Sequence, residues 1–439
     1  MSGINIVLST ITVTIMLLCG LLFSVKTHFI PLRKFGNALK STEGQTAKNR
    51  NGKISSFQSF ATSVAGTIGV GNIIGVAAAV TIGGPGTVFW IWASALLTMA
   101  IKYSEIFLAV KNKPSPLPGA FSYLRKVLAK PVMDIYAFAV IAASLFMGNM
   151  VQTNAVAEYF GKAFDTPPIW SAIALVLICS VPLIGLSKKI FYLLGILVPI
   201  MGAFFIIGGT VLISMNMSEL PKAFEKIFSS AFSFSSLGGA AVFTAINKGV
   251  TIGLISNEAG LGSAAFAHYE ADETNPHKEA LWGALEVFAD SIVVSSITAL
   301  VLLVSGKQSV FDAFFCQFGF WGGAFTATAV LLFGVSSVLC WSFYGKTAGE
   351  FFSKKILPIY TAASVCAVFA GSLLPFDTVW GLSEFFNSIM LIINLYGVFR
   401  LRNEVFNNFP GNNKPRRGRN KRNTCGNTNS RNSFSRRTT

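Results

Sequence analysis

Charge is what this chain of 439 residues has least of: Asp, Glu, Lys and Arg together make up 12% of it. A soluble domain of that length cannot cover its surface with so few charges, which excludes a soluble enzyme or binding module. Histidine is scarcer still. His28, His268 and His277 are the three present, and they show no metal-ligand spacing. The six cysteines, Cys19, Cys179, Cys316, Cys340, Cys366 and Cys425, are scattered without a CxxC pair, so neither a disulfide framework nor a metal site is indicated. The apolar runs contain no nucleophile–base pair, phosphate-cradling loop, repeated filter or charged ring, which argues against a membrane enzyme and against a channel. No cofactor is expected.

What the chain has instead is apolar surface. Hydrophobic residues make up 52% of it and Phe alone contributes 40. Runs of about 20 apolar residues recur along its whole length, enough to cross a hydrocarbon core of about 30 Å as a helix. The fold class is therefore an all-α polytopic membrane protein. The first run has no basic segment before it and continues to Val25 without a small-residue cleavage site, so it reads as a retained span. Eleven spans are expected, at about 4–25, 55–82, 86–110, 131–160, 167–186, 190–214, 230–255, 277–305, 322–345, 356–375 and 377–400.

The net charge of +16 has no folded basic face to sit on, so nucleic acid is not an expected partner; the lipid bilayer is. Of the 35 Lys and Arg, 29 fall in the loops after spans one, three, five, seven and nine and in the tail. Four fall in the alternate loops: Lys162, Lys222, Lys226 and Lys307. The positive-inside rule then predicts an outside N-terminus and a cytoplasmic C-terminus in a plasma membrane. Residues 26–54 form a basic cytoplasmic loop. Residues 404–439, rich in Asn, Arg, Ser and Gly, bury too little to fold and are expected to be a disordered basic tail.

Two spans are irregular. Span two contains Ala65-Gly66-Thr67-Ile68-Gly69-Val70-Gly71-Asn72-Ile73-Ile74-Gly75. Each glycine costs a helix about 1 kcal/mol against alanine. An unwound stretch survives in a membrane only where it faces protein or a wet cavity. Five spans later, span seven contains Ser235-Ser236-Leu237-Gly238-Gly239-Ala240. With residues 1–25 set aside as an extra helix, these are the first helices of two five-helix halves, 55–214 and 215–403, of opposite orientation. Paired interruptions in an inverted repeat point to a midplane transport site, where freed carbonyls and half-helix ends hold ions and substrate. Helix packing through the small residues Gly71 and Gly75 is the alternative reading of the first interruption.

Several blocks then resemble one family. They are Gly69-Val70-Gly71-Asn72-Ile73-Ile74-Gly75-Val76-Ala77, Gly83-Gly84-Pro85-Gly86, Phe89-Trp90-Ile91-Trp92 and Ser256-Asn257-Glu258-Ala259-Gly260-Leu261-Gly262-Ser263-Ala264. Gly148-Asn149-Met150-Val151-Gln152-Thr153-Asn154, Phe288-Ala289-Asp290 and the stretch from Val379-Trp380 to Asn387 join them. In this order they resemble the alanine or glycine:cation symporters, over about residues 54–400. The resemblance implies a LeuT-type fold with a 5+5 inverted repeat, one extra N-terminal helix and two discontinuous helices. It also implies Na⁺ as coupling ion and alanine or glycine as substrate.

The same resemblance implies that Gly71, Asn72 and Gln152 contact the substrate and that Trp341 closes one wall. Sodium is expected on the carbonyls of Ala65, Ile68 and Phe333 and the hydroxyls of Ser336 and Ser337, a carboxylate-free oxygen set suited to a hard monovalent ion. Bonding of the two serines within their own helix is the alternative. Ser256, Asn257, Glu258, Gly260 and Gly262 are expected to act as an inner gate, or more simply as the cap of a short helix. The chain departs from the family at Cys340 (usually Gly), Lys346 (usually Glu), Glu384 (usually Asp) and Ile393-Asn394 (usually Pro-Asn). Lys102 and Glu105, three apart, are placed to pair near the inner end of span three. Asp290 and Glu286, deep in span eight, are structural or coupling groups, which keeps proton coupling open.

Overall fold

The computed structural model describes residues 2–36, 53–184, 189–232 and 238–408. Among the described residues the backbone is helical, with one isolated bridge between Ile54 and Ala271 in place of any sheet. The N-terminal helix α1 is Ser2–Lys26. The second span comes in two pieces, α2 (Ser56–Thr67) and α3 (Ile74–Gly83). Next come α4 (Thr87–Lys111), α5 (Lys130–Phe164), α6 (Pro168–Ile184) and α7 (Lys189–Met215). A short amphipathic helix α8 (Leu220–Ala231) precedes α9 (Gly238–Asn257) and α10 (Ala264–Tyr269). The chain continues through α11 (Pro276–Ser305), α12 (Val310–Phe318), α13 (Phe320–Phe352), α14 (Leu357–Gly371), α15 (Phe376–Arg400) and α16 (Arg402–Phe406).

Seven of these helices are long and apolar enough to cross a bilayer, and the bent pair α2–α3 makes an eighth. The other three expected crossings correspond to α6, α9 and α14, which are shorter or less apolar. α8 lies just before the expected start of span seven and takes in its first two residues, 230 and 231. Of the interruption expected at 235–240, residues 235–237 lie outside the described residues, and α9 runs unbroken from Gly238 to Asn257. The tail beyond residue 408 is likewise outside them. Residues 404–408, assigned to the tail by composition, are docked: Glu404 pairs with Lys111 at 2.8 Å and with Lys126 at 3.2 Å. Burial works against the Glu404 carboxylate, but the two lysines outweigh it and hold its carboxyl below its usual value.

Local chemistry starts and stops the helices. Ser55 and Gln58 form a reciprocal cap at the start of α2, each side chain bonded to the other's backbone N–H. Asn275 caps α11 ahead of Pro276, and Ser309 caps α12 by accepting from Asp312 N at 3.1 Å. Inside two spans the helix widens into π turns, Ser144–Val151 in α5 and Phe288–Val294 in α11. Such widening displaces side chains from their helical register and recurs at functional sites.

Helices approach closely where side chains vanish. A Cβ on Gly371 of α14 would stand 2.4 Å from Met150 Cα and 2.7 Å from its carbonyl oxygen, in the π turn of α5. Backbone cannot yield as a side-chain tip can, so Gly371→Ala is expected to cost about 1–3 kcal/mol of stability. Gly202→Ala, whose new Cβ meets nothing within 4 Å, serves as the neutral control. Thermal unfolding in detergent should show a lowered midpoint for the first variant alone; equal midpoints would contradict the packing.

Candidate transport site

The first break is short and sharply defined. After Thr67, Ile68 leaves the helical region (φ −81°, ψ 81°) and Gly69 is extended (φ −114°, ψ −164°). One tight turn, Val70–Asn72, leads into α3, and the two limbs bend by 57°. Peptide groups freed there are taken up by other helices. The Val70 N–H donates to Gln152 Oε1 at 3.1 Å, and the Ala65 carbonyl accepts from Ser337 Oγ of α13 at 2.8 Å. A Cβ on Gly69 would lie 2.8 Å from Ser337 Oγ and 2.9 Å from Gln152 Oε1, so a larger residue at this crossing would displace those two side chains. Around Gly71, by contrast, nothing lies within 4 Å of where a Cβ would stand.

The residues expected to hold sodium divide. Ser337 reaches across to Ala65, whereas Ser336 bonds within its own helix to the Phe333 carbonyl at 2.9 Å. Ala65, Ile68, Phe333, Ser336 and Ser337 are all buried. Of the residues expected around the substrate, Gln152 follows the π turn of α5 and donates to Met147 O at 3.2 Å, while its oxygen holds Val70. Trp341 is fully buried and lies so close to Gly148 that a Cβ there would overlap its Cβ, at 2.1 Å. Cys340 packs near Gly66, its Sγ 3.0 Å from the position of a Cβ there.

Asn72 does not stand alone. Its Nδ2 donates to Asp290 Oδ1 at 2.7 Å, and Asp290 sits in the π turn of α11. Asp290 also accepts from Ser256 Oγ, at 2.8 Å to Oδ1 and 3.0 Å to Oδ2, and from Ser291 Oγ at 2.7 Å. One carboxyl group thus ties the first break to the last turn of α9.

A second break follows directly. α9 ends at Asn257, Glu258 turns left-handed (φ 52°), and Gly260 (φ 93°) and Gly262 (φ 77°) carry the chain to α10. The two glycines take this backbone freely, while Glu258 stores about 1–3 kcal/mol of strain. Ser256 and Asn257 thus close α9, and Glu258, Gly260 and Gly262 lie in the unwound, buried stretch between α9 and α10. The cap reading is not what is found, since Asn257 Oδ1 accepts from Ala259 N rather than opening a helix. The irregularity of this helix among the described residues therefore lies after residue 257.

Other helices supply the partners of this second unwound segment. Lys102 of α4 donates to the Asn257 carbonyl at 2.9 Å and pairs with Glu286 of α11 at 3.1 Å. Glu105 accepts from Gly262 N at 3.1 Å and from Asn394 of α15, which also donates to the Gly260 carbonyl at 2.8 Å. Tyr136 donates to the Leu261 carbonyl at 2.7 Å, and Ser263 to Glu258 Oε2 at 2.6 Å. Lys102 and Glu105, expected to pair near the inner end of their span, do not. They are completely buried and turn to different partners, because each has a peptide segment and a facing helix to satisfy.

Sequence reasoning missed His268 and Glu279. His268 of α10 contacts Glu279 through Nδ1 at 2.6 Å and Glu286 through Nε2. A neutral imidazole carries one N–H, so hydrogen bonds from both nitrogens to two carboxyl groups need a second proton within the trio. A histidine in an otherwise apolar, motif-flanking segment was the available signal. Ser63 of α2 donates to Glu286 Oε2 at 2.8 Å and so links this cluster to the first broken span.

A broken span and a buried unwound segment, both with open peptide groups bound by neighbouring spans, are the arrangement found at the midplane sites of secondary transporters. Solved structures agree on the fold: a manganese transporter mutant of Eremococcus coleocola matches with a TM-score of 0.60 at 14% identity, covering 81% of each chain. MhsT in complex with L-phenylalanine matches at 0.54 and 15% identity, over 80% of this chain and 89% of that one. Both are LeuT-type folds, and so is this one. The sodium:alanine symporter family matches residues 2–424, and the chain belongs to that family. The sodium/alanine symporter AgcS of Methanococcus maripaludis is 35% identical over 413 residues, 88% of this chain and 90% of that protein. The probable sodium/glutamine symporter GlnT of Bacillus subtilis is 30% identical over 415 residues, 91% and 87% of the two chains. The putative sodium/proton-dependent alanine carrier protein YrbD of the same organism is 30% identical over 438 residues, 91% and 89%.

Removing one partner of a buried ion pair strands the other charge, at a cost of about 3–5 kcal/mol. Lys102→Met is therefore expected to lower the yield of monodisperse protein and its melting midpoint sharply, and Lys102→Met with Glu286→Gln to recover part of both. A lone Lys102→Met variant as stable as the parent, by size exclusion and thermal unfolding, would contradict the pairing.

Proposed function

We propose that the chain carries a small neutral amino acid, alanine or glycine, into the cell together with Na⁺ by alternating access. The observation that carries this reading is the crossing of α2 and α13. Ser337 Oγ meets the Ala65 carbonyl at 2.8 Å, at the position where the family resemblance puts sodium. A cation entering there would take the oxygens of Ala65, Ile68, Phe333, Ser336 and Ser337 and hold the unwound strand against α13. The strand in turn presents Gly71 and Asn72 to the substrate, with Gln152 and Trp341 as neighbouring walls. The open space beside Gly71 supports a small ligand at that point.

The stretch from Ser256 through Asn257, Glu258 and Gly260 to Gly262 acts in this scheme as the hinge of the inner gate, since Gly260 and Gly262 take left-handed backbone without strain. The charge distribution supports a cytoplasmic C-terminus and an outside N-terminus in the plasma membrane. Residues 55–214 and 215–403 serve as the two inverted halves.

A second reading, proton coupling on the same fold, is favoured by the five fully buried carboxyl groups, Glu105, Glu258, Glu279, Glu286 and Asp290, and by the name of one relative. The glutamine symporter among the relatives makes glutamine the competing substrate.

Labelled alanine, glycine and glutamine uptake into proteoliposomes, with Na⁺ and H⁺ gradients imposed separately, tests the proposal. Alanine or glycine accumulation is expected under the Na⁺ gradient, and Ser336→Ala with Ser337→Ala should raise the Na⁺ concentration needed by about tenfold or more, corresponding to about 1.4 kcal/mol. Accumulation under the H⁺ gradient alone, indifferent to Na⁺, would overturn the coupling. Glutamine uptake in preference to alanine and glycine would overturn the substrate.

A further inference from the structure

His268 of α10 lies between two carboxyl groups of a single helix. Glu279 and Glu286 are two turns apart on one face of α11, about 10.5 Å along its axis. The imidazole spans that gap, with Nδ1 2.6 Å from Glu279 Oε1 and Nε2 in contact with Glu286 Oε1. All three side chains are fully buried. Lys102 of α4 and Ser63 of α2 both reach Glu286 Oε2, at 3.1 and 2.8 Å, so Glu286 is a hub that joins α2, α4, α10 and α11. Glu279 has less support: His268 holds its Oε1, and its Oε2 is buried without a hydrogen-bond partner.

The other titratable groups packed around the trio are turned elsewhere. α2 has none. On α4, Glu105 holds the Gly262 N–H and Tyr103 meets His277 Nδ1 at 2.6 Å; past its end, Lys113 bonds to the carbonyls of Ala271 and Glu273. Glu258 accepts from Ser263, Asp290 from Asn72, and Lys278 pairs with Glu273. From α13, Tyr344 sets its ring 5.9 Å from that of Phe266. The bonded set is therefore Lys102, Glu286, His268 and Glu279. It is neutral when the imidazole is doubly protonated, and it has an unpaired negative charge in a low-dielectric interior when the imidazole is neutral.

Losing that proton also breaks a contact, because a bare ring nitrogen and a carboxylate oxygen both present lone pairs. The remaining N–H stays with Glu279, which has no other donor, and the contact with Glu286 fails. That contact ties α10 to the hub. Beyond it, α2 and α10 are joined where Asp272 N donates to the Ile54 carbonyl at 2.8 Å and by the exposed pair Lys53–Asp272, a type of pair that contributes at most about 1 kcal/mol.

We propose that His268, Glu279 and Glu286 form a proton-binding site that latches the inner half of the molecule, with the proton a ligand of the closed arrangement and not a transported ion. Opening of the inner side parts α10 from α2, wets the trio and lets the proton leave to the cytoplasm; reclosure takes one back from the same side. Low cytoplasmic pH favours the closed form that loads Na⁺, and high pH favours the open form. This inference rests on the orientation and the Na⁺-driven cycle proposed above.

Glu279→Gln removes the need for the second proton. The new amide donates to Nδ1, a neutral imidazole gives its own N–H to Glu286, and the set is complete and neutral. Labelled alanine uptake into proteoliposomes, at equal pH on both sides stepped from neutral to alkaline, gives the external Na⁺ concentration needed for half-maximal rate. The parent is expected to need about tenfold more Na⁺ at the alkaline end, and Glu279→Gln to keep the parental neutral-pH requirement throughout. A parent indifferent to pH, or a Glu279→Gln variant that follows the parent, overturns the latch. A trapped pH dye is expected to stay constant during uptake; protons entering with alanine would overturn one-sided exchange. If Glu279→Gln does not fold, ¹⁵N-histidine NMR of His28→Gln with His277→Gln, which leaves His268 as the sole imidazole, decides. Two protonated ring nitrogens at neutral pH support the site, and one overturns it. A parent without Na⁺-driven uptake at any pH overturns the transport reading, and the NMR result then judges the proton site by itself.

Discussion

A peptide group released from helical bonding inside a bilayer has no water to turn to, and leaving it unpaired costs several kcal/mol. This chain breaks two helices in its interior and meets that constraint with side chains from other spans. Gln152 takes the Val70 N–H and Ser337 the Ala65 carbonyl. Lys102 takes the Asn257 carbonyl, Glu105 the Gly262 N–H, and Asn394 the Gly260 carbonyl. The positions of α4, α5, α13 and α15 around the breaks follow from these needs. The polar residues of an otherwise apolar protein are concentrated where backbone has to be satisfied.

α11 connects the two breaks. Its π turn sets Asp290 toward Asn72 and Ser256, and one helical turn earlier Glu286 meets Lys102, Ser63 and His268. Either broken helix can move only by exchanging these partners. Buried networks of this sort are bistable rather than soft, because a half-satisfied intermediate is costly. That property suits alternating access, in which a few ligands choose between two complete sets of contacts.

Much of the fold was legible in the sequence because lipid imposes length and hydropathy on every crossing. The spacing of apolar runs marked α1, α4, α5, α7, α11, α13 and α15 closely. The glycine-rich run from Gly66 to Gly75 marked the first break, since no other composition explains so many poor helix formers in one span. The second break was harder. Gly238 and Gly239 drew attention because they interrupt hydropathy, yet both are helical as the first described residues of α9, while Glu258 and Gly260 looked like a loop after the span. Hydropathy falls at a polar unwound segment just as it does at a membrane surface, and composition alone does not separate them. Lys102 and Glu105 misled for a related reason. Spacing along one helix predicts which residues share a face, but not that Glu286 and Gly262 of other helices make stronger claims on them. The π turns left no mark, as Phe288 to Val294 has the composition of ordinary helix.

The central claim is that the peptides of 68–73 and 258–263 are held by exchangeable side-chain and ligand contacts rather than by helical bonds. Amide hydrogen exchange of these two segments in the full-length protein, with and without Na⁺ and alanine, tests it most directly. Both segments are expected to exchange faster than the flanking α2 and α9 without ligands and to slow when the two are added. Protection equal to that of the flanking helices under both conditions would contradict it.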